Sequence, residues 1–222
     1  MGLTGFFLIS FLIVHCGINA MIFFNDGGET FNHWGHFMGS NLIVRTMEIG
    51  LFLFLLLHIV QGLMLWSQNN AARPIKYAVN RADKNSKWYS RSMGLLGTLI
   101  LMFLVMHLYH FWVPSRFGGM GSVQPLEEAT LGAEYANQQV HNLYREMQVV
   151  FQDNLWVVIV YVLGVISLCW HLLHGFQSAF QTFGINHKRY TPLIKTIGVV
   201  YSVGICLLFA LMPIAIYMNW IN

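Results

Sequence analysis

Six histidines lie in stretches that carry no Asp, Glu, Lys or Arg: His15, His58, His107, His110, His171 and His174. An imidazole among apolar side chains needs a partner for its ring nitrogens, and an ionisable group placed there is a functional candidate first. A lone histidine of this kind is readily satisfied by a backbone carbonyl. One on each of four apolar segments, with almost no carboxylate beside them, is harder to explain that way, because every unpaired polar group costs free energy. Imidazoles facing one another across a helical core can instead hold the iron of a flat, apolar porphyrin, one ring from each side. A zinc or iron transporter would place carboxylates beside the histidines, and only Glu48 approaches that depth. The 12 methionines are scattered, as expected of residues that fill gaps in a core.

Helices must position these rings, and the composition says what kind. Only 9% of the 222 residues are charged and 56% are hydrophobic, whereas a soluble domain carries roughly 25% charged residues. Charge is absent from residues 1–25, 49–72, 92–115, 154–187 and 196–222. A helix needs about 20 apolar residues to cross a bilayer core, and each window supplies them. A soluble enzyme, a nucleic-acid binder and a secreted disulfide scaffold are excluded. The expected fold is an all-α membrane protein with five transmembrane helices near 3–24, 43–66, 93–113, 155–183 and 193–218, forming one domain over 1–222. The first window has no basic leader, so it is taken as a span kept in the mature chain. Cys16, Cys169 and Cys206 fall in separate windows and are expected to be small buried hydrophobes.

Nine of the twelve basic residues fall in 67–92 and in the run Lys188, Arg189 and Lys195. The positive-inside rule then puts that side and the N-terminus in the cytoplasm. The opposite side carries the acidic 40-residue connection 114–153. There Val140, Leu143, Met147, Val150 and Phe151 recur at helical spacing, which predicts an interfacial helix over about 139–152. At 1.5 Å per residue, His15 and His107 lie roughly 15 and 10 Å inside the outer edge. His58 and His174 lie roughly 13 and 15 Å inside the inner one. The rings sort into an outer pair, His15 with His107, and an inner pair, His58 with His174. His110 and His171 are reserves one turn away. Gly17, Gly62, Gly97 and Gly175 lie near these histidines, where a missing Cβ would let a porphyrin approach the backbone.

Several runs carry a resemblance: "MGLTGFFLISFLIVH", "FNDGGETFNHWGHFMGSN", "LLLHIVQGLMLWSQNNAARPIKYAV", "SRSMGLLGTLILMFLVMHLYHFWV" and "HLLHGFQSAFQTFGINHKRYTPLIK". The chain resembles the cytochrome b subunit of succinate dehydrogenase/fumarate reductase, of the single-chain, five-helix, two-haem type. The resemblance implies that the first four helices form a bundle around two stacked b haems. It implies His15 and His107 as axial ligands of the outer haem, and His58 and His174 of the inner one. It further implies a flavoprotein with FAD and an iron–sulfur subunit on the inner side, menaquinone as the quinone, and a bacterial cytoplasmic membrane as the location. Quinone chemistry at the outer face needs protons, and Glu48 and Glu29 are the candidates to exchange them. Two other readings stand beside this one. The first is the cytochrome b anchor of another quinone-linked complex, of hydrogenase or formate dehydrogenase type. The second is a haem-free metal transporter or scaffold.

Overall fold

The computed structural model describes residues 1–72, 84 and 86–221. Helix α1 (Gly2–Asn19) runs into a 3-10 turn, Ala20–Phe24, and α2 (Glu29–Ser40) and α3 (Leu42–Ala71) follow. Short α4 (Trp88–Arg91) leads into α5 (Met93–His107), which continues through a π turn, Leu108–Trp112, into α6 (Val113–Phe117). Then come β1 (Glu128–Thr130), β2 (Gln139–His141), α7 (Leu143–Phe151), α8 (Leu155–Thr182) and α9 (Thr191–Tyr217). Five stretches are long and apolar enough to cross a bilayer: Gly2–Phe24, Leu42–Ala71, Met93–Phe117, Leu155–Thr182 and Thr191–Tyr217. These match the five expected spans, so the chain is a multi-pass, all-α membrane protein apart from one small hairpin.

Sequence-local chemistry sets the helix ends. Asn41 begins α3 by accepting hydrogen bonds from the Ile43 and Val44 amides at 2.9 and 3.3 Å, the usual work of an N-cap. The π turn directly precedes Pro114, which has no N–H to give to the His110 carbonyl and whose ring crowds it; a widened turn relieves that crowding. Gly28 before α2 has φ 84° and lies against the Tyr144 ring, so both its conformation and its neighbour exclude a side chain.

Residues 25–41 and 114–153 form a cap over one end of the bundle. The interfacial helix expected over 139–152 starts at Leu143, because Gln139–His141 pairs antiparallel with Glu128–Thr130. Asn142 then caps α7, accepting from the Arg145 amide at 2.9 Å. Buried Asn32 joins α2 to this unit: its amide donates to Asn142 Oδ1 at 3.0 Å and its Oδ1 accepts from the Tyr144 amide at 2.9 Å. The other end, the basic end, carries Ala72, Lys87 and the connection 183–190; Arg73, Lys76 and Arg81 lie outside the described residues.

The apolar core is off-centre. One buried cluster joins the cap to α8 and α9 through Phe31, Tyr144, Phe151, Tyr161 and Ile216. A second joins α1, α8 and α9 through Ile9, Val165, Phe176 and Cys206. Neither includes a residue of α3, and no residue of α3 is buried. Helix α9 packs along α8, and Tyr201 ties it to α1 by donating to the Ile9 carbonyl at 2.9 Å. Cys16 and Cys206 are buried and all three cysteines are free thiols.

Candidate functional site

Helices α1, α3, α5 and α8 bring histidines together at two levels. Near the capped end, the His15 and His107 rings have centroids 5.9 Å apart and planes at 87°. Toward the basic end, His58 and His171 have centroids 6.1 Å apart and planes at 68°. Thr4, beside His58, and His15 are eleven residues apart on α1, so the levels are separated by roughly 16 Å along the helix. The structure therefore joins His15 with His107, as the depth argument expects. Opposite His58 it places His171; His174, one turn along α8, makes no ring contact with His58.

Whether these residues suit a haem follows from the donor atoms and the space. Transition-metal–imidazole bonds are about 2 Å long, so two imidazoles on one iron hold their ring centroids roughly 6 Å apart. Both pairs have that spacing. Among the described residues no hydrogen bond engages Nε2 of His15, His58, His107 or His171, and the Nδ1 atoms of His107 and His171 are buried without a partner. Nε2 is therefore the ring nitrogen left open to a metal at all four positions, while the orphaned Nδ1 atoms, a state His33 shares, identify no ligand of their own. A Cβ added at Gly17 or Gly175 would meet nothing within 4 Å; at Gly97 it would meet only His171, and at Gly62 only the end of Met1. Gly97 and Gly175 thus leave room beside the rings, whereas Gly17 lies on the exposed face of α1 with Ile13 and Val14; the ring spacing and the unengaged Nε2 atoms fit the group.

The histidines differ in their other partners. Thr4 Oγ1 lies 3.2 Å from His58 Nδ1. The Asn19 amide donates to the His15 carbonyl at 2.7 Å and lies 3.3 Å from His15 Nδ1. For His15 to offer Nε2 to a metal, its proton must sit on Nδ1, with Asn19 turned to present its carbonyl oxygen. His110 is engaged elsewhere: its Nδ1 is 2.9 Å from the Tyr161 hydroxyl, which gives it a structural role beside His107. Among the described residues no three His, Cys, Asp or Glu side chains converge; the histidines meet in pairs.

Glu48 lies in α3 at the capped end. Its carboxylate accepts from Trp112 Nε1 at 2.7 Å, from Arg116 at 3.2 and 3.0 Å, and from Arg45 at 3.3 Å. This clamp borders a cavity of about 370 Å³ lined also by Ile49, Phe52 and Phe117. The Arg45 contact is local, at i, i+3, whereas Arg116 and Trp112 reach Glu48 from another helix, which spacing along the chain does not reveal. Glu29 is outside this cavity; its carboxylate accepts from the Gly132 amide at 3.2 Å and braces the cap. Comparison with protein-family models, characterised proteins and solved structures finds no match.

Proposed function

We propose that the chain is the cytochrome b membrane anchor of a succinate:quinone oxidoreductase, passing electrons between an iron–sulfur partner subunit and a quinone. The observation that carries this reading is the pair of imidazole couples, His15–His107 and His58–His171, at two depths of one helical bundle. The resemblance of the sequence supports it, and supports menaquinone as the quinone. Bound at these couples, two b haems would supply one-electron carriers at two levels of the membrane. The protein's own part is to hold four rings facing inward and to leave open space beside Gly175.

At the basic end, Lys87, Arg91, Lys188, Arg189 and Lys195 offer a cationic surface for the iron–sulfur and flavoprotein partners. The same charges favour an N-terminus on the cytoplasmic side of a bacterial membrane. At the capped end, the cavity beside Glu48 is the place for a quinone headgroup, with Phe52, Trp112 and Phe117 as aromatic walls. Glu48 is the better placed of the two acids to exchange a proton, once a guanidinium lets go of it. Glu48→Gln that keeps both haems and full quinone turnover would remove it from the reaction.

Reduced-minus-oxidised absorption spectra of the purified chain, with haem quantified, test the reading. Two b haems per chain are expected; a folded preparation supplied with haem but colourless overturns it. Single replacements of the six histidines by Leu then assign the ligands. Loss of haem in His15→Leu, His107→Leu and His58→Leu is expected. The fourth ligand is whichever of His171 and His174 behaves the same way: geometry favours His171, and the resemblance implies His174.

A further inference from the structure

Thr4 is 5% exposed, on the face of α1 turned to α3. Its hydroxyl donates to the Met1 carbonyl at 3.0 Å, and the same oxygen lies 3.2 Å from His58 Nδ1. A hydroxyl has a single proton, and a carbonyl can only accept. With that proton committed to Met1, the oxygen shows His58 a lone pair. With Nδ1 as the donor the hydroxyl keeps both contacts at once, and the neutral ring has its free lone pair on Nε2. The other tautomer would require the hydroxyl to turn its proton to Nδ1 and give up the Met1 carbonyl, leaving that carbonyl to the Gly5 amide at 2.8 Å, so one hydrogen bond fewer forms in a buried place.

We infer that Thr4 is a positioning residue for His58, fixing the ring's orientation and tautomer so that Nε2 is presented as a ligand before any metal arrives. Partners of this kind orient a ligating imidazole and raise its basicity. The inference rests on the proposed haem site for its purpose, but not for its chemistry. The capped-end couple has no equivalent, because the Asn19 amide points a donor at His15 Nδ1. Of the two couples, the basic-end one is set in advance on this side.

Nitrogen-15 NMR of the full chain in bilayers, prepared without haem, gives a direct test, with His58 assigned by its loss in His58→Leu. Wild type is expected to carry the His58 proton on Nδ1, Thr4→Ser to keep it there, and Thr4→Val to show a mixture of tautomers. A His58 ring protonated on Nε2 in wild type overturns the inference, whether or not the chain proves to be a cytochrome. In haem-loaded protein, Thr4→Val is expected to raise the midpoint potential of one haem and leave the other unchanged, with Thr4→Ser restoring it. Removing the acceptor from Nδ1–H withdraws electron density from the ring and disfavours the ferric state. Unchanged potentials at wild-type haem content would also overturn it. A wild-type chain that binds no haem yet shows the Nδ1 proton refutes the proposed function while sustaining the role of Thr4.

Discussion

At the scale of single residues, His107 and His110 show how neighbours of one type divide their work. His107 faces His15 across the bundle, with Nδ1 buried and unpartnered; His110 is hydrogen-bonded to Tyr161. His110→Leu is therefore expected to keep both haems but to lower stability by about 1–3 kcal/mol, since it strands a largely buried phenol. Haem content and thermal unfolding of the variant check both halves of that statement. The 87° between the His15 and His107 planes has a spectroscopic counterpart. Perpendicular axial imidazoles leave the iron d orbitals nearly degenerate, so the capped-end haem is expected to give a strongly anisotropic low-spin signal in electron paramagnetic resonance. An ordinary rhombic signal with three well-resolved g values would show that the planes turn toward parallel on binding. In the cap, burial acts to raise the Asp26 carboxyl, but hydrogen bonds from Thr30 and the Gly28 amide outweigh it and hold the group below its usual range. A depressed carboxylate stabilises fully above its ordinary pKa and loses that contribution as pH falls through the lower folded value. The protection of the Thr30 and Asn32 amides, corrected for intrinsic exchange, should accordingly fall on acidification, and Asp26→Asn should abolish that loss of protection.

At the scale of elements, the glycines fall into two groups that sequence alone could not separate. A side chain at Gly164 would collide with Phe103 and one at Gly198 with Phe176, so these serve close helix packing. Gly17 and Gly175 meet nothing. Gly164→Val and Gly198→Val are expected to weaken the fold. Gly175→Val is expected to leave helicity intact and reduce haem content, whereas Gly17→Val, on the exposed face of α1, is expected to change neither; circular dichroism with haem assay distinguishes the outcomes. The five spans were legible because charge-free windows of sufficient length report directly on lipid. Depth along a helix was legible too, which is why His15 and His107 could be matched from residue counts. Rotation about a helix axis was not. Whether His171 or His174 turns toward His58 depends on how α8 packs on α9 and α5, and nothing local records it. Helix α2 escaped notice because "FNHWGHFMGS" mixes two glycines and two histidines, weak helix formers, and its order comes from Asn32 and Phe31 packing into the cap. The β1–β2 hairpin escaped because its strands span only three residues each.

At the scale of the whole molecule, the firm packing lies along α8, α9 and the cap, and α3 stands apart. Its ties include the Phe7–Phe54 stack at 4.6 Å, the Met1 amine on Gln61 at 2.6 Å, the Thr4–His58 and His58–His171 contacts, and at the capped end the Phe52–Trp112 ring contact and the Glu48 clamp to Trp112 and Arg116. Arg116→Ala should loosen this span more than any change on its lipid-facing side, because it removes two of the hydrogen bonds to Glu48. The check is cysteine crosslinking between the capped ends of α3 and α5, which should become less efficient in the variant. Asn32→Leu should act on a different unit, freeing the hairpin from α2, and limited proteolysis within 118–142 would report it.

The π turn at Leu108–Trp112 also acts as a phase shifter. An ordinary helix advances about 100° per residue, so the extra residue in the widened turn resets which way everything beyond it points. His107, before the turn, looks into the bundle; Trp112 and Arg116, after it, look toward α3 and Glu48. Shortening that turn by one residue would swing the indole and guanidinium off their carboxylate while leaving the imidazole where it is. The two ends of this span can thus diverge independently, the inward-facing imidazole and the carboxylate clamp each free to change without the other.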